Sequence, residues 1–297
     1  MEKIRKNIAA VLAALIWGTA FVAQSFGAAL MPPFAFNTIR SVIATLSLIL
    51  VVVLFAKVKK EPILPPKGKR KELLIGGICC GAALAIASAF QQAGLAYTDP
   101  GKGGFITALY IVLVPIAGLF FKKRAPFTVW IAVGVAAAGL YFLCIKESFT
   151  VEAGDLLILC SAFCYTAQIL IIDHFTERVE SVRLSCVQFF VVTVISGLLM
   201  LLFEQPDWSV LPRCTIPLLY TGVLSSGVAY TLQIVAQKGS NPTVISLLLS
   251  LESVFAVLAG LVFGDTMSGR EWLGCGLMLA AVVFAQLPPL DFRRKRV

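Results

Sequence analysis

The sequence predicts an all-α membrane protein of ten transmembrane helices, arranged as two inverted five-helix repeats. Three observations carry that prediction: an apolar composition, ten apolar stretches of span length, and an internal register of 142 residues. Hydrophobic residues make up 59% of the 297-residue chain and charged residues 14%, with a mean hydropathy of +0.90. A soluble domain carries roughly 45–50% apolar and about 25% charged residues. A soluble fold of this length could not hide so much apolar surface, whereas a bilayer solvates it. The bilayer also demands that every backbone polar group be satisfied internally, which leaves helices or a closed barrel. The apolar runs here are continuous rather than alternating, and that selects helices.

The stretches run 7–29, 34–56, 72–95, 101–121, 127–145, 154–172, 183–203, 215–236, 242–263 and 271–288. Most approach the roughly 20 residues that cross about 30 Å of hydrocarbon at about 1.5 Å per residue. The first follows the basic start Met1-Glu2-Lys3-Ile4-Arg5-Lys6 and resembles a signal peptide in outline. Its apolar run exceeds the roughly 7–15 residues of a signal core, and the repeat needs it as a first helix, so it reads as a span. Connections are short. The longest is the basic segment Lys57 to Lys71, with Pro62, Pro65 and Pro66, and no extramembrane domain is expected.

Lys and Arg in the loops set the orientation. With the N-terminus inside, 20 of the 25 basic residues fall in inner segments and 4 (Lys102, Lys146, Arg213, Arg270) in outer ones, with Arg40 inside the second span. Both termini are therefore expected in the cytoplasm. The net charge of +9 follows this alternation from loop to loop, so no nucleic-acid partner is expected. The eight cysteines include no C-x-x-C pair and sit mostly in apolar runs, as small packing residues. With His174 the sole histidine, no metal site and no cofactor are expected.

Shifting the chain by 142 residues aligns Gln91 with Gln233, Pro100 with Pro242, Gly118-Leu119 with Gly260-Leu261, Trp130 with Trp272, and Gly134 with Gly276. The register covers the last three helices of each half. The first two align poorly; Thr19-Ala20 against Thr166-Ala167 needs a different shift. The repeats are placed at 1–146 and 147–297. Five helices is an odd number, so the halves are expected to face opposite ways. Transporters built on that plan bind substrate near the midplane, between the halves.

Polar side chains in a bilayer are costly and face the bundle interior. Stripes at helical spacing are Ser226, Tyr230, Gln233 and Gln237 in the eighth stretch; Ser88 and Gln91 in the third; Ser161, Tyr165 and Gln168 in the sixth; Trp17 and Gln24 in the first; Thr107 and Tyr110 in the fourth; and Ser246, Ser250 and Ser253 in the ninth. They could line a central substrate cavity, with Trp17, Gln24, Gln91, Tyr110, Tyr165, Gln168, Tyr230 and Gln233 as candidates. The competing reading is plain interhelical hydrogen bonding. The fifth and tenth stretches carry Gly134, Gly139, Gly274 and Gly276 instead, which suit close packing. Glu252 lies about ten residues into its stretch, near mid-membrane, as a candidate proton carrier or a structural carboxyl. Arg40 could bind an anionic group, act at a gate, or reach to the interface. Asp99 and Lys102 flank Gly101, Gly103 and Gly104, expected to let the third and fourth helices cross closely. Asp173-His174 reads as a solvated helix end.

Ile16-Trp17-Gly18-Thr19-Ala20-Phe21 resembles the first-helix motif of EamA-type proteins in the drug/metabolite transporter superfamily. So do Gly94-Leu95-Ala96-Tyr97-Thr98, Gly104 to Tyr110 with Pro115 after it, and Leu248 to Ala256, where Ser253 replaces the family's usual proline. The resemblance spans the chain. It implies a multi-pass permease of the inner membrane, often an exporter, for small metabolites such as amino acids or drug-like compounds. The lipid bilayer, a small-molecule substrate and protons are the expected partners, with monomer and homodimer both open. The first span carries no carboxylate of the kind that related small multidrug exporters use. The chain has no ATP-binding motif and no clustered catalytic constellation, so it is not expected to be an enzyme. A membrane-embedded enzyme or a sensor without transport activity is the alternative.

Overall fold

The computed structural model describes residues 2–98, 100–121, 125–144, 152–262 and 266–286, with the backbone alone at 100–102 and 144. Asp99 and Lys146, named above, lie outside the described residues, as do Lys122 to Arg124 and Arg293 to Arg296 of the inner basic set and the Lys102 side chain. The helices are α1 (Glu2–Leu30), α2 (Pro33–Lys59), α3 (Lys67–Gly94), α4 (Pro100–Ala108), α5 (Tyr110–Phe120), α6 (Phe127–Cys144), α7 (Ala153–Phe175), α8 (Ser181–Phe203), α9 (Leu211–Leu219), α10 (Tyr230–Gln237), α11 (Pro242–Leu249), α12 (Glu252–Val262) and α13 (Gly269–Gln286). A 3-10 turn, Trp208–Val210, precedes α9, and a π-helix, Tyr220–Ala229, joins α9 to α10.

Among the described residues, eight helical stretches are long and apolar enough to cross a membrane. They are α1, α2, α3, Gly103–Phe120, α7, α8, Trp208–Gln237 and Pro242–Val262. Helices α6 and α13 fall outside that set and lie against each other. A Cβ added at Gly139 would stand 2.9 Å from the Met278 nitrogen, and one at Gly274 2.6 Å from the Leu143 nitrogen. These two glycines bring the backbones together, as small residues do between membrane helices. Gly134 and Gly276 face open space, so the expectation of close packing fails for them.

The bundle is apolar outside and small or polar inside. Leu46, Leu50, Ile78, Leu201 and Leu202 are exposed, while Ala9, Ala10, Ala13, Ala14, Gln188, Gln237 and Ser246 are buried. This is the distribution a lipid solvent selects, because buried amides and hydroxyls find partners across helices.

Two stretches break near mid-length. Pro115 lies inside α5; it donates no N–H and crowds the carbonyl four residues back. The chain departs from α geometry at Leu109, just before that carbonyl. In Pro242–Val262 the break falls at Ser250-Leu251. There the Ser246 and Ser250 hydroxyls donate back to the Thr243 and Leu247 carbonyls at 2.9 and 2.8 Å. Such back-bonding weakens and bends a helix, so this break needs no proline at Ser253.

Contacts between connections sort into two ends. At one end Asn7 Nδ2 donates to Gln286 Oε1 at 3.1 Å, Arg183 donates to the Pro62 carbonyl at 2.8 Å, and Arg178 lies 4.0 Å from Glu72. At the other the Glu204 carboxylate accepts from the Phe34 and Ala35 amides at 2.9 and 2.8 Å, and Thr98 donates to Asp155 at 3.0 Å. Of the glycines expected to bring α3 onto α4, Gly103 does approach the end of α3, its Cβ position 2.9 Å from the Leu95 side chain. Gly94 and Gly154 face each other, each Cβ position 2.8 Å from the other's carbonyl, so the close crossing is α3 on α7. Gly104 meets nothing within 4 Å.

Candidate functional site

Near the middle of the bundle a cavity is lined by Trp17, Phe21, Gln24, Arg40, Gln91, Thr107, Tyr110, Tyr165, Gln168, Ile169, Ser225, Tyr230, Gln233, Leu249 and Glu252. All ten residues singled out from the sequence are on its wall. Seven stretches contribute: α1, α2, α3, α4–α5, α7, the π-helix with α10, and α11–α12. The volume open to water centres is about 40 Å³, room for about three waters at ~10–15 Å³ each.

The α1 motif organises one wall. Trp17 donates its indole N–H to the Ser225 carbonyl at 3.2 Å and stacks on Tyr230 with ring centroids 4.7 Å apart. Phe189 closes on the other side of Tyr230 at 5.3 Å. Gly18 lies against α12, where a Cβ would be 2.5 Å from the Glu252 carbonyl. The Thr19 hydroxyl bonds to the Tyr220 hydroxyl, and Phe21 returns to the cavity. The motif is thus an alternation of cavity-facing aromatics with one glycine that admits the broken helix.

The π-helix changes the expected stripe. In α geometry Ser226 would share a face with Tyr230. The wider π turn, closed by i to i+5 bonds, brings Ser225 to the cavity instead and turns Ser226 away. The other serines of the predicted stripes also leave the wall. Ser161 donates to the Ile158 carbonyl of its own helix at 2.6 Å, and Ser246 and Ser250 bond their own helix as described.

Polar partners form two chains from the wall. Gln91 donates to Thr107 at 3.2 Å and accepts from the Tyr165 hydroxyl at 2.9 Å. Gln233 donates to Gln168 at 3.3 Å, and Gln168 to Gln188 at 3.5 Å. Gln233 Oε1 and Gln188 Nε2 remain buried without a hydrogen-bond partner. Gln188 and Asn37, whose amide donates to the Ser88 carbonyl at 3.0 Å, were not picked out from the sequence, although Ser181, Ser185 and Gln188, and Asn37, Ser41 and Thr45, fall at helical spacing and are buried.

One carboxyl and one guanidinium face the space. Glu252, 5% exposed, opens α12 and accepts from the Tyr110 hydroxyl at 3.1 Å. Tyr110 and Glu252 are 142 residues apart, the spacing of the internal register, and each starts the helix after its break. Arg40, 7% exposed, donates through Nη1 to Gln24 Oε1 at 2.8 Å and sits over the Phe36 ring at 5.9 Å. It turns inward rather than to the interface. Among the described residues, no cluster of three His, Cys, Asp or Glu could hold a metal ion.

The fold recurs elsewhere. A crystal structure of a protein 19% identical in sequence superposes with a TM-score of 0.78, covering 95% of this chain and 96% of that one. An uncharacterized transporter of Archaeoglobus fulgidus is 30% identical over 289 residues, 97% of this chain and 87% of the relative. The uncharacterized transporter YwfM of Bacillus subtilis is 25% identical over 285 residues, 94% of this chain and 93% of that one. The sequence pattern of the EamA-like transporter family matches twice, over residues 4–145 and 152–286. With those matches covering nearly the whole chain, this multi-pass membrane protein belongs to the EamA-like transporter family.

Proposed function

We propose that the chain is a secondary transporter that moves small metabolites, such as amino acids or drug-like compounds, out across the inner membrane. It works by alternating access of two inverted repeats of five spans each. The observation that carries this reading is the cavity wall. Three pairs in the 142-residue register meet there: Gln91 with Gln233, Thr107 with Leu249, and Tyr110 with Glu252. The last pair bond each other directly. Interrupted helices at corresponding positions of two halves mark the binding site in inverted-repeat transporters. The two-ended sorting of loop contacts, with Asn7 beside Gln286, supports an even number of spans with both termini on the cytoplasmic side.

In this reading Glu252 carries the coupling proton and Tyr110 holds it in place between steps. The test is a metabolite screen in sealed proteoliposomes, with and without a pH gradient. Flux that responds to the gradient in the parent protein is expected to lose that response in Glu252→Gln. The amide keeps an acceptor for Tyr110 but cannot exchange a proton. An unchanged pH response in Glu252→Gln would rule this residue out as the carrier.

A further inference from the structure

Arg40 is a buried cation on the cavity wall. Its guanidinium keeps its proton in any protein environment. It is 7% exposed, and its recorded side-chain bond goes to the neutral amide oxygen of Gln24. Among the described residues it makes no ion pair. Gln24 is itself tied down, because its backbone carbonyl accepts from Gln92 at 3.3 Å. One amide oxygen and one ring face engage only part of a guanidinium that also lines the cavity. Burying a charge without a counter-charge is costly. The carboxyl on the cavity wall makes no ion pair with it; Glu252 accepts from Tyr110 instead. A charge held in this way, beside a space that admits water, is balanced by what enters that space.

We infer that Arg40 is an anion subsite and that the compound carried is a small monocarboxylate with an uncharged, apolar body. This rests on the reading of the cavity as a transport site. A guanidinium offers paired N–H donors in a plane that matches a carboxylate. The rest of the wall suits the rest of such a ligand. Trp17, Phe21, Tyr230, Ile169 and Leu249 offer apolar and aromatic surface, while the free Gln233 Oε1 leaves one acceptor for a polar substituent. The present volume of about 40 Å³ limits what fits without opening, which favours short acids over large ones.

The test uses the full chain in nanodiscs and follows thermal stabilisation by monocarboxylates from acetate to 3-phenylpropionate, each beside its primary amide. At least one acid is expected to stabilise the protein where its amide does not. Its affinity is expected to fall tenfold or more in Arg40→Gln and to recover partly in Arg40→Lys. Arg40→Met is expected to leave the empty protein as stable as the parent or more so, because it removes a buried charge. A purely structural arginine would instead lose stability there. Equal responses to acid and amide across the series, or acid binding that survives Arg40→Gln, overturn the assignment. If the Gln variant does not fold, the acid-against-amide comparison on the unaltered chain decides. Acid binding without flux in proteoliposomes keeps the subsite and removes the transport reading. Flux of uncharged metabolites without acid binding does the reverse.

Discussion

Gly18→Ala should be among the most damaging one-methyl changes in the protein, and its effect should reach the cavity. The added Cβ would stand 2.5 Å from the Glu252 carbonyl, 2.6 Å from Phe255 Cβ and 2.8 Å from the Ala256 nitrogen. Two of those three atoms are backbone, so no side chain can rotate out of the way. Restoring an ordinary contact near 3.4 Å requires α1 and α12 to part by about 0.9 Å, and overpacking of that kind costs about 1–3 kcal/mol. The carbonyl that must move belongs to the residue whose carboxyl accepts from Tyr110. Stability and substrate affinity should therefore fall together. Gly139→Ala separates the two effects, because its Cβ would meet the Met278 nitrogen at 2.9 Å in the α6–α13 contact, away from the cavity wall. It should cost stability and spare affinity. Gly134→Ala, with nothing within 4 Å, should be neutral or gain about 0.5–1 kcal/mol from helix propensity. Thermal unfolding of the three purified variants, with flux in proteoliposomes, checks this ordering. A Gly18→Ala protein as stable as Gly134→Ala would refute the close approach of α1 to α12.

Tyr230→Ala and Gln233→Ala should shift substrate selectivity with the fold retained, read as altered ratios among transported compounds in the proteoliposome screen; unaltered ratios in both would remove them from the binding wall. Glu204→Ala strips both acceptors from the first amides of α2 and should destabilise the protein by about 1–2 kcal/mol, the range of a charged helix cap, in a chemical denaturation series. Outside the membrane, the Asp207 carboxyl accepts from the Ser209 N–H and O–H at 2.9 and 2.8 Å, which holds it below the usual aspartate range. A depressed carboxyl stabilises the folded turn above its unfolded value, near pH 4, and that support is lost as pH falls through the folded value. Amide exchange at residues 207–211 should therefore gain an acid-sensitive component that Asp207→Asn lacks.

The polar wall was legible in the sequence for one physical reason. A glutamine or tyrosine inside an apolar span has few places to go except the bundle interior, so stripes at helical spacing converge. The interface reading of Arg40 fails, because length allows that reach but Gln24, which no spacing rule pairs with it, holds the side chain inward. The serines were the opposite case. Ser161, Ser246 and Ser250 satisfy themselves on their own helices, so their spacing carried no information about the cavity. The π-helix was illegible, since Tyr220 to Ala229 reads as an ordinary membrane helix and nothing in its composition requires a wider turn. The break in α4–α5 had a visible marker in Pro115. Its counterpart at Ser250 lacked one, and only the back-bonded serines explain it.

The proposed repeat and the unequal chemistry of its two copies fit together. Rocking requires only that the two halves meet at matched, bendable points, and the breaks at Leu109 and Leu251 stand 142 residues apart. Vectorial coupling requires that the halves differ where the ligand sits. At the matched positions one half offers Thr107 and Tyr110, the other Leu249 and Glu252. At the 147-residue shift that aligns Thr19-Ala20 with Thr166-Ala167, Arg40 meets Val187. Geometry is therefore retained where the helices bend, while each charged group has no charged counterpart in the other half. A symmetric site would bind its ligand equally from either side. With the carboxyl on α12 and the guanidinium on α2, an occupant's charged end has one favourable place in the cavity, and a proton at Glu252 is held by the half that Arg40 does not belong to. Exchanging the residues of the bonded pair, Tyr110→Glu with Glu252→Tyr, keeps the two groups and moves the acid to the other half. If the asymmetry of the wall sets the direction of coupling, that double variant should fold and still bind substrate while its response to an imposed pH gradient is lost or inverted. A parent-like response would show that direction is set elsewhere.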